Sequence, residues 1–588
     1  MKIFLFIVIP YFLFLIPGHA QSWLWGKYGI GDGTAQDISI DSKGNCYLSG
    51  LIPNDTIHFG SYTFINPPYN NYFDAFLIKY NAKGNVIWAK QWFNKDTSLH
   101  HSTFSPATTA ASNNGNVYLN GNFSDTLVVG TYTMVTKNGF QSTCIAKYDS
   151  NGNLKWVRTS RNSVNSNSTG AVGNSISRDN FGNVFLLGAG SYDTVYFGSS
   201  KIYYHQNVNF NDFLVKYDSA GNVKWAKQAV PHDANSSCVS FCVKADALGN
   251  IYTTGNFADT IQLGTDSLKE NLGDVDFQIV KRDSSGNVLW VKQGQPANMQ
   301  PAGATGISIA TDNYGNAYAC GQFFGSFLIG QDTIKQPPNY QDNFFVVKYS
   351  SNGNVIWVKQ ATILDGNPWD AWSITSDNNN IYVSGSGGGS DTCKIVFGGD
   401  TLTLKQTNPT QACFLFKLDS SGKATCGTIM QQGISNLTSV AADTSGKHVY
   451  FSASFSTEAI FGPDTINPNS YPINHIQGYN YFPIVARWQA CDSNIFQAVP
   501  EVQKPLNEVV VYPNPNNGSF TVEYNLSQGQ VGVLSIYNLL GQKINDYTLD
   551  VASSKMNITD NVLNNGMYVY VIMLDGRIAK RDKLIIIK

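Results

Sequence analysis

The sequence predicts an all-β protein: a seven-bladed β-propeller followed by a smaller all-β domain. Three observations lead there. One hairpin pattern recurs along most of the chain, a second turn motif precedes it at nearly constant spacing, and the two ends of the repeat array complete one another.

The hairpin is plainest at 213–228, Phe-Leu-Val-Lys-Tyr-Asp-Ser-Ala-Gly-Asn-Val-Lys-Trp-Ala-Lys-Gln. Two apolar, aromatic-rich runs flank a turn in which Asp218 opens the loop and Gly221 takes the positive-φ position. The same pattern stands at 76–91, 144–158, 277–293 and 344–360, with Trp88, Trp156, Trp290 and Trp357 at the place of Trp225. At 414–430 Gly422 is kept and Cys426 replaces the tryptophan. The regular Trp positions read as packing between neighbouring sheets rather than as a sugar-stacking ladder.

The second motif is a Gly-Asn turn followed by Tyr or Phe and a further Gly. Its clear copies have Gly44, Gly115, Gly182, Gly249 and Gly315, spaced 71, 67, 67 and 66 residues apart. Weaker copies lie at Asp377 with Tyr382 and Gly385, and at Asp443 with Gly446 and Tyr450. Each interval thus holds two tight hairpins, or four strands, and radially repeated four-stranded units make a propeller. The last unit has a third strand near 482–487 but no Trp-bearing fourth strand, whereas 22–28, Ser-Trp-Leu-Trp-Gly-Lys-Tyr, looks like that missing strand. A ring closed by both chain ends accounts for both facts, while a linear solenoid would need capping repeats. A third signature, Asp55-Thr56-Ile57-His58-Phe59-Gly60 and its relatives at 125–130, 193–198 and 259–264, predicts one short strand in each second-to-third connection.

Both Gly-Asn turns of a unit fall on one face of such a disc. The opposite face carries the irregular segments 93–103, 161–168, 205–211, 296–301 and 364–370. Binding groups concentrate on irregular loops held by a rigid scaffold. The candidate ligand-binding aromatics there are Tyr69, Tyr72, Tyr340, Trp369, Tyr479 and Tyr481.

These strings, Gly-Asn-Val-Tyr-x-x-Gly and Lys-Tyr-Asp-x-x-Gly-Asn-Val-x-Trp-Ala-Lys-Gln, resemble the SBBP-type β-propeller repeats of exported bacterial proteins over residues 22 to about 490. The resemblance implies the fold and no single chemistry.

The first twenty residues read as a signal peptide: Lys2, an apolar stretch at 3–16, and Gly18-His19-Ala20, with cleavage between Ala20 and Gln21. The apolar stretch is shorter than the roughly 20 residues that span a bilayer, and no transmembrane segment is expected in the mature chain. With 14 % charged residues and a net charge of −2, no charge run suggests a nucleic-acid partner.

Residues 21–496 are assigned to the propeller and 497–507 to a proline-punctuated linker. Residues 508–588 form the second domain, whose motifs are Tyr512-Pro513-Asn514-Pro515 with Gly518, the run at 534–542, the run at 563–571 and the basic-flanked tail at 583–588. They resemble the type A C-terminal sorting domain of the type IX secretion system. That resemblance implies an Ig-like β-sandwich, passage across the outer membrane with the secretion machinery as partner, and a secreted or surface-attached product.

Candidate chemistry is sparse. The Asp-Ser-x-Gly-Asn turns lack the alternating acidic ligands and closing Glu of a calcium loop, and turn formation explains their residues without a metal. His100-His101 has no accompanying His/Cys/Asp cluster nearby in sequence, and zinc needs three or four ligands. No Gly-x-Ser-x-Gly elbow, His-Glu-x-x-His or P-loop occurs. No cofactor is implied. Nine cysteines are scattered through the chain. Cys238 and Cys242 lie in one strand, roughly 13 Å apart at about 3.3 Å per residue, too far to bridge. Cys426 and Cys491 are the candidate disulfide. The sequence therefore points to a propeller that binds a protein or a glycan. A polysaccharide hydrolase or lyase with its site at the channel mouth, or a structural adhesion component, are the alternatives.

Overall fold

The computed structural model describes residues 22–489 and 510–588 apart from short connecting segments, the longest of which are 96–107, 163–169, 431–437 and 467–480. The chain divides into two compact units, 19–491 and the C-terminal unit, and among the described residues every regular element is a β-strand.

In the larger unit, four antiparallel strands paired in sequence order recur six times among the described residues, and a seventh set has three such strands and one from the N-terminus. Repeat one comprises Thr34–Ile40, Cys46–Ile52, Asp74–Tyr80 and Val86–Asn94. The first strands of repeats two to seven are Thr108–Ala111, Ala171–Arg178, Ser237–Ala245, Gly303–Thr311, Trp369–Ser376 and Ser439–Ala442. These first strands adjoin one another in order, and that of repeat seven adjoins that of repeat one. Repeat seven takes its fourth strand from the N-terminus: Ser22–Tyr28 pairs with Phe482–Gln489, with Trp25 opposite Arg487.

Turn chemistry sets the local structure. Asp41 accepts the Lys43 and Asn45 N–H groups at 2.9 and 3.0 Å, and Asn45 Nδ2 donates to its other oxygen at 2.7 Å. Gly44 takes φ 73° and closes the loop. Every acceptor site of the aspartate is thus used inside its own turn, or by Tyr47, whose hydroxyl lies 3.0 Å from Asp41 Oδ2 and 3.0 Å from the Gly115 carbonyl of the next repeat.

Neighbouring repeats interlock through their tryptophans. Trp88 Nε1 and Lys79 Nζ both donate to the Ser150 carbonyl in the second turn of repeat two, at 3.1 and 2.9 Å. Trp156 with Lys147, Trp225 with Lys216, Trp290 with Lys281 and Trp357 with Lys348 do the same at Ser219, Ser284, Ser351 and Ser420. At the closure, Trp25 Nε1 and Arg487 Nη1 make this contact on the Ala82 carbonyl, at 3.1 and 2.9 Å. Apolar side chains fill the space between sheets. Leu77, Trp88 and Trp92 of repeat one, for example, meet Leu119, Phe123 and Tyr148 of repeat two.

The short strand expected in the second-to-third connection is present as Thr56–Phe59, and it is half of a hairpin with Tyr62–Ile65, turned at Gly60 with φ 60°. In repeats two, three and five the equivalent hairpin pairs with the end of the preceding repeat's fourth strand, as Leu127 does with Asn94, Tyr196 with Arg161 and Leu328 with Gln295. These segments are a second tie between repeats.

The C-terminal unit holds two antiparallel sheets. One contains Val510–Tyr512, Ser519–Glu523 and Lys555–Thr559; the other contains Gly532–Tyr537, Lys543–Leu549, Gly566–Leu574 and Arg577–Ile586. Phe520 and Val522 of the first share one core with Leu534, Ile536, Ile572 and Leu584 of the second.

Candidate functional site

A cavity of about 620 Å³ is lined by the first strands of all seven repeats and runs toward their first turns, including Asp41, Asp246 and Asp312. Its floor is built from equivalent positions, each four residues ahead of the residue that opens the first turn: Asp37, Thr108, Ser175, Cys242, Ser308, Ser373 and Ser439.

These side chains join neighbouring repeats. Asp37 accepts the Thr109 N–H at 2.8 Å. Ser175, Ser308 and Ser373 accept the N–H groups of Val243, Ile374 and Val440, each at 3.2 Å. The Ser439 hydroxyl donates to Asp37 Oδ1 at 2.8 Å and so joins repeat seven to repeat one. The Ser175 and Ser308 oxygens each lie 3.9 Å from Cys242 Sγ. Backbone donors at the inner edge of repeats two, four, six and seven are thereby satisfied by the preceding repeat.

A β-bulge aims five of the seven floor residues. The register shifts between Ala35 and Asp37, Gly173 and Ser175, Ser240 and Cys242, Gly306 and Ser308, and Ala371 and Ser373. The extra residues are Gln36, Asn174, Phe241, Ile307 and Trp372, and all line the cavity. A bulge bends its strand and re-aims side chains. Here it also presses the strand onto its partner: a Cβ on Gly50, Gly188, Gly255, Gly321 or Gly385 would lie 1.9–2.1 Å from a first-strand carbonyl oxygen. That contact explains why the motif ends in glycine.

The cavity's charges are unevenly satisfied. Asp37 is pushed up to about 6 by burial, partly offset by Thr109 and Ser439. Arg178 donates from Nε to the Ala111 carbonyl at 2.6 Å and from Nη2 to Asn113 Oδ1 at 2.8 Å. Half-buried Lys244 is held below the usual lysine range by burial, with Cys242, Arg178 and Asp37 as its electrostatic neighbours.

Burial also raises Asp74 and Asp212 to about 6. A folded pKa above the unfolded value of about 3.9 means that the folded state binds more protons across that window, so stability falls as pH rises from about 4 to 6. The cost is on the order of 2–3 kcal/mol for each of these two buried sites. Asp149, Asp218, Asp283 and Asp419 are opposite cases. Slight burial raises them, but their own turn donors outweigh it, so their contribution is lost only in acid below the usual carboxylate range. The expected result is a higher melting temperature at pH 5 than at pH 7.5. An equal or lower one at pH 5 contradicts the buried-carboxylate account.

Of the aromatics chosen from sequence, Tyr69, Tyr72, Tyr340 and Tyr479 lie outside the described residues. Trp369 opens the first strand of repeat six, opposite Gly387. Half-buried Tyr481 donates its N–H to Asp32 Oδ1 at 3.2 Å and accepts the Gly33 N–H at 2.7 Å. Ala20, Gln21 and Cys491 also lie outside the described residues, while Cys426 is buried in a strand. Among the described residues, no three of His, Cys, Asp and Glu gather as a metal site. None of the seven floor positions was singled out from sequence. Their only sequence signal is the constant four-residue offset from the turn.

In the C-terminal unit the Tyr512–Gly518 motif straps the last strand. Asn514 Nδ2 donates to the Lys583 carbonyl at 2.6 Å, and Asn514 Oδ1 accepts the Ile585 N–H at 2.8 Å. Asn516 receives the Ile587 N–H at 2.7 Å on its carbonyl, and its side chain receives the Gly518 N–H at 2.8 Å. The Tyr512 hydroxyl donates to Glu523 at 3.0 Å. Pro513 and Pro515 are exposed and follow cis peptide bonds.

Comparison with known proteins bears chiefly on this second unit. No curated protein sequence matches the chain. A crystal structure of a protein of unknown function from Dyadobacter fermentans is similar at 10 % identity and TM-score 0.30, covering 64 % of this chain and 96 % of its own. A member of the DUF4221 family from Bacteroides vulgatus is similar at 10 % identity and TM-score 0.28, covering 80 % and 97 %. Likeness of that depth carries no argument about fold or function. Residues 510–588 match the family model of the secretion system C-terminal sorting domain. The chain thus ends in a type IX sorting domain that engages the secretion machinery, and the protein is secreted and borne at the cell surface or outer membrane.

Proposed function

We propose that residues 21–496 form a seven-bladed β-propeller of the SBBP type, released from its signal peptide between Ala20 and Gln21. On this reading it is joined through 497–507 to an Ig-like β-sandwich at 508–588, and it acts at the cell surface as a binding module for a protein or glycan. The closed order of first strands supports the propeller. So does the Trp–Lys contact repeated from sheet to sheet and completed by Trp25 and Arg487 at Ala82.

The observation that carries the binding reading is the union of a surface-sorting domain with a rigid repeat scaffold. Its connections opposite the Gly-Asn turns are long and unlike one another, and such loops are where recognition residues concentrate. The test applies the mature protein to a glycan array and to surface-protein pull-downs, assaying the same samples for released sugar. Retention without release is the expected result. Product release would replace this reading with that of a hydrolase or lyase.

A further inference from the structure

We propose that the axial cavity is a second binding site, at the end of the repeats that carries the Gly-Asn turns. It takes a carboxylate-bearing sugar, with Lys244 as the anion-binding group and Phe241, Ile307 and Trp372 as the apolar wall. This site is separate from the loop-end recognition proposed above.

The volume of about 620 Å³ falls in the range of ligand pockets, roughly 300–1,000 Å³. Its lining is two-sided. The bulge residues of repeats four, five and six are Phe241, Ile307 and Trp372, whereas those of repeats one and three are Gln36 and Asn174. Phe241 is 41 % exposed although it stands on an inner strand, and the Trp372 indole is oriented by donating Nε1 to Ser386 Oγ at 2.8 Å. A pyranose has the matching character, with an apolar C–H face for an aromatic wall and hydroxyls for amides and serines.

Charge sets the class. Lys244 lines the cavity two residues after Cys242, and among the described residues its ammonium has no hydrogen-bond or ion-pair partner. Five aspartates also line the cavity, and each is hydrogen-bonded within the protein: Asp37 to Thr109 and Ser439, Asp41 to Lys43 and Asn45, Asp246 to Leu248 and Asn250, Asp312 to Tyr314 and Asn316, and Asp443 to Ser445 and His448. Arg178 is tied to the Ala111 carbonyl and Asn113, so no guanidinium fork is free for a phosphate. One ammonium without a partner in the protein, beside an apolar wall, fits a single carboxylate.

Titration calorimetry on the full mature protein tests this with digalacturonate, the neutral disaccharide galactobiose and acetate. Digalacturonate is expected to bind at least about tenfold more tightly than either control. Lys244→Met, which keeps the side-chain length, should abolish that preference, and Phe241→Ala should weaken digalacturonate without restoring acetate. Unchanged melting temperatures establish that both variants are folded. Equal binding of acetate and digalacturonate overturns the sugar. Equal binding of galactobiose, or an unaffected Lys244→Met, overturns the role of Lys244. Absence of all binding overturns the site. Retention on the array that survives Lys244→Met leaves the loop-end reading standing, so the two readings fail independently.

Discussion

A chain that begins at Gly29 is expected not to form a stable set of repeats, although it loses only one strand. Among the described residues, Ser22–Tyr28 is the only fourth strand of repeat seven. Trp23 and Trp25 are each 8 % exposed and pack on Phe451 and Tyr450. Truncating one buried tryptophan costs about 3–5 kcal/mol, against a typical total stability of about 5–15 kcal/mol. The deletion removes both, strips the Trp25 bond to Ala82 and bares the edge of Phe482–Gln489 as a template for aggregation. Urea unfolding and size-exclusion chromatography of the deletion, of Trp25→Ala and of the partly exposed control Leu24→Ala give the test. The expected order of damage is deletion, Trp25→Ala, then Leu24→Ala. A deleted chain that stays monomeric with an unchanged urea midpoint would remove the argument for closure by the N-terminal strand.

Gly255→Ala is the single substitution expected to cost most for the atoms added. The new Cβ would lie 2.1 Å from the Val239 carbonyl oxygen and 2.5 Å from Ser240 Cα, both backbone atoms of the bulged strand. Side-chain overpacking costs about 1–3 kcal/mol. Displacing the backbone that aims Cys242 at Ser175 and Ser308 should exceed the top of that range. Gly399→Ala is the control, because φ is 91° there and nothing lies within 4 Å of the new atom. It carries only the left-handed penalty, about 1–2 kcal/mol. If denaturant midpoints place the two substitutions together, the bulge does not explain the glycine.

Much of the scaffold was legible because its signals are local. An aspartate opening a turn and a glycine at positive φ are chemistry of four or five consecutive residues, so Asp218–Gly221 and its copies announce hairpins wherever they occur. The Trp at each fourth strand was legible as packing, but its partner was not. That the Trp88 indole and the Lys79 ammonium share one carbonyl of the next repeat depends on residues some seventy positions away. The added hairpins were half-read. Asp55–Gly60 and its relatives share letters, whereas the returning strands, such as Tyr62–Ile65 and Tyr132–Val135, share few.

The cavity was not legible from residue types. Asp37, Thr108, Ser175, Cys242 and Ser308 have little in common beyond their offset from the turn, and that they line one cavity appears only when seven strands stand side by side. Sequence alone determined the turns, the repeat length, the strand that the N-terminus lends and the sorting motif around Asn514, because backbone conformation and amphipathic spacing act within a few residues. Tertiary structure decided which backbone donors each floor side chain meets, where the bulges press glycine and which side of the cavity holds Lys244. Those depend on the packing of neighbouring sheets, which brings together residues that no local spacing relates.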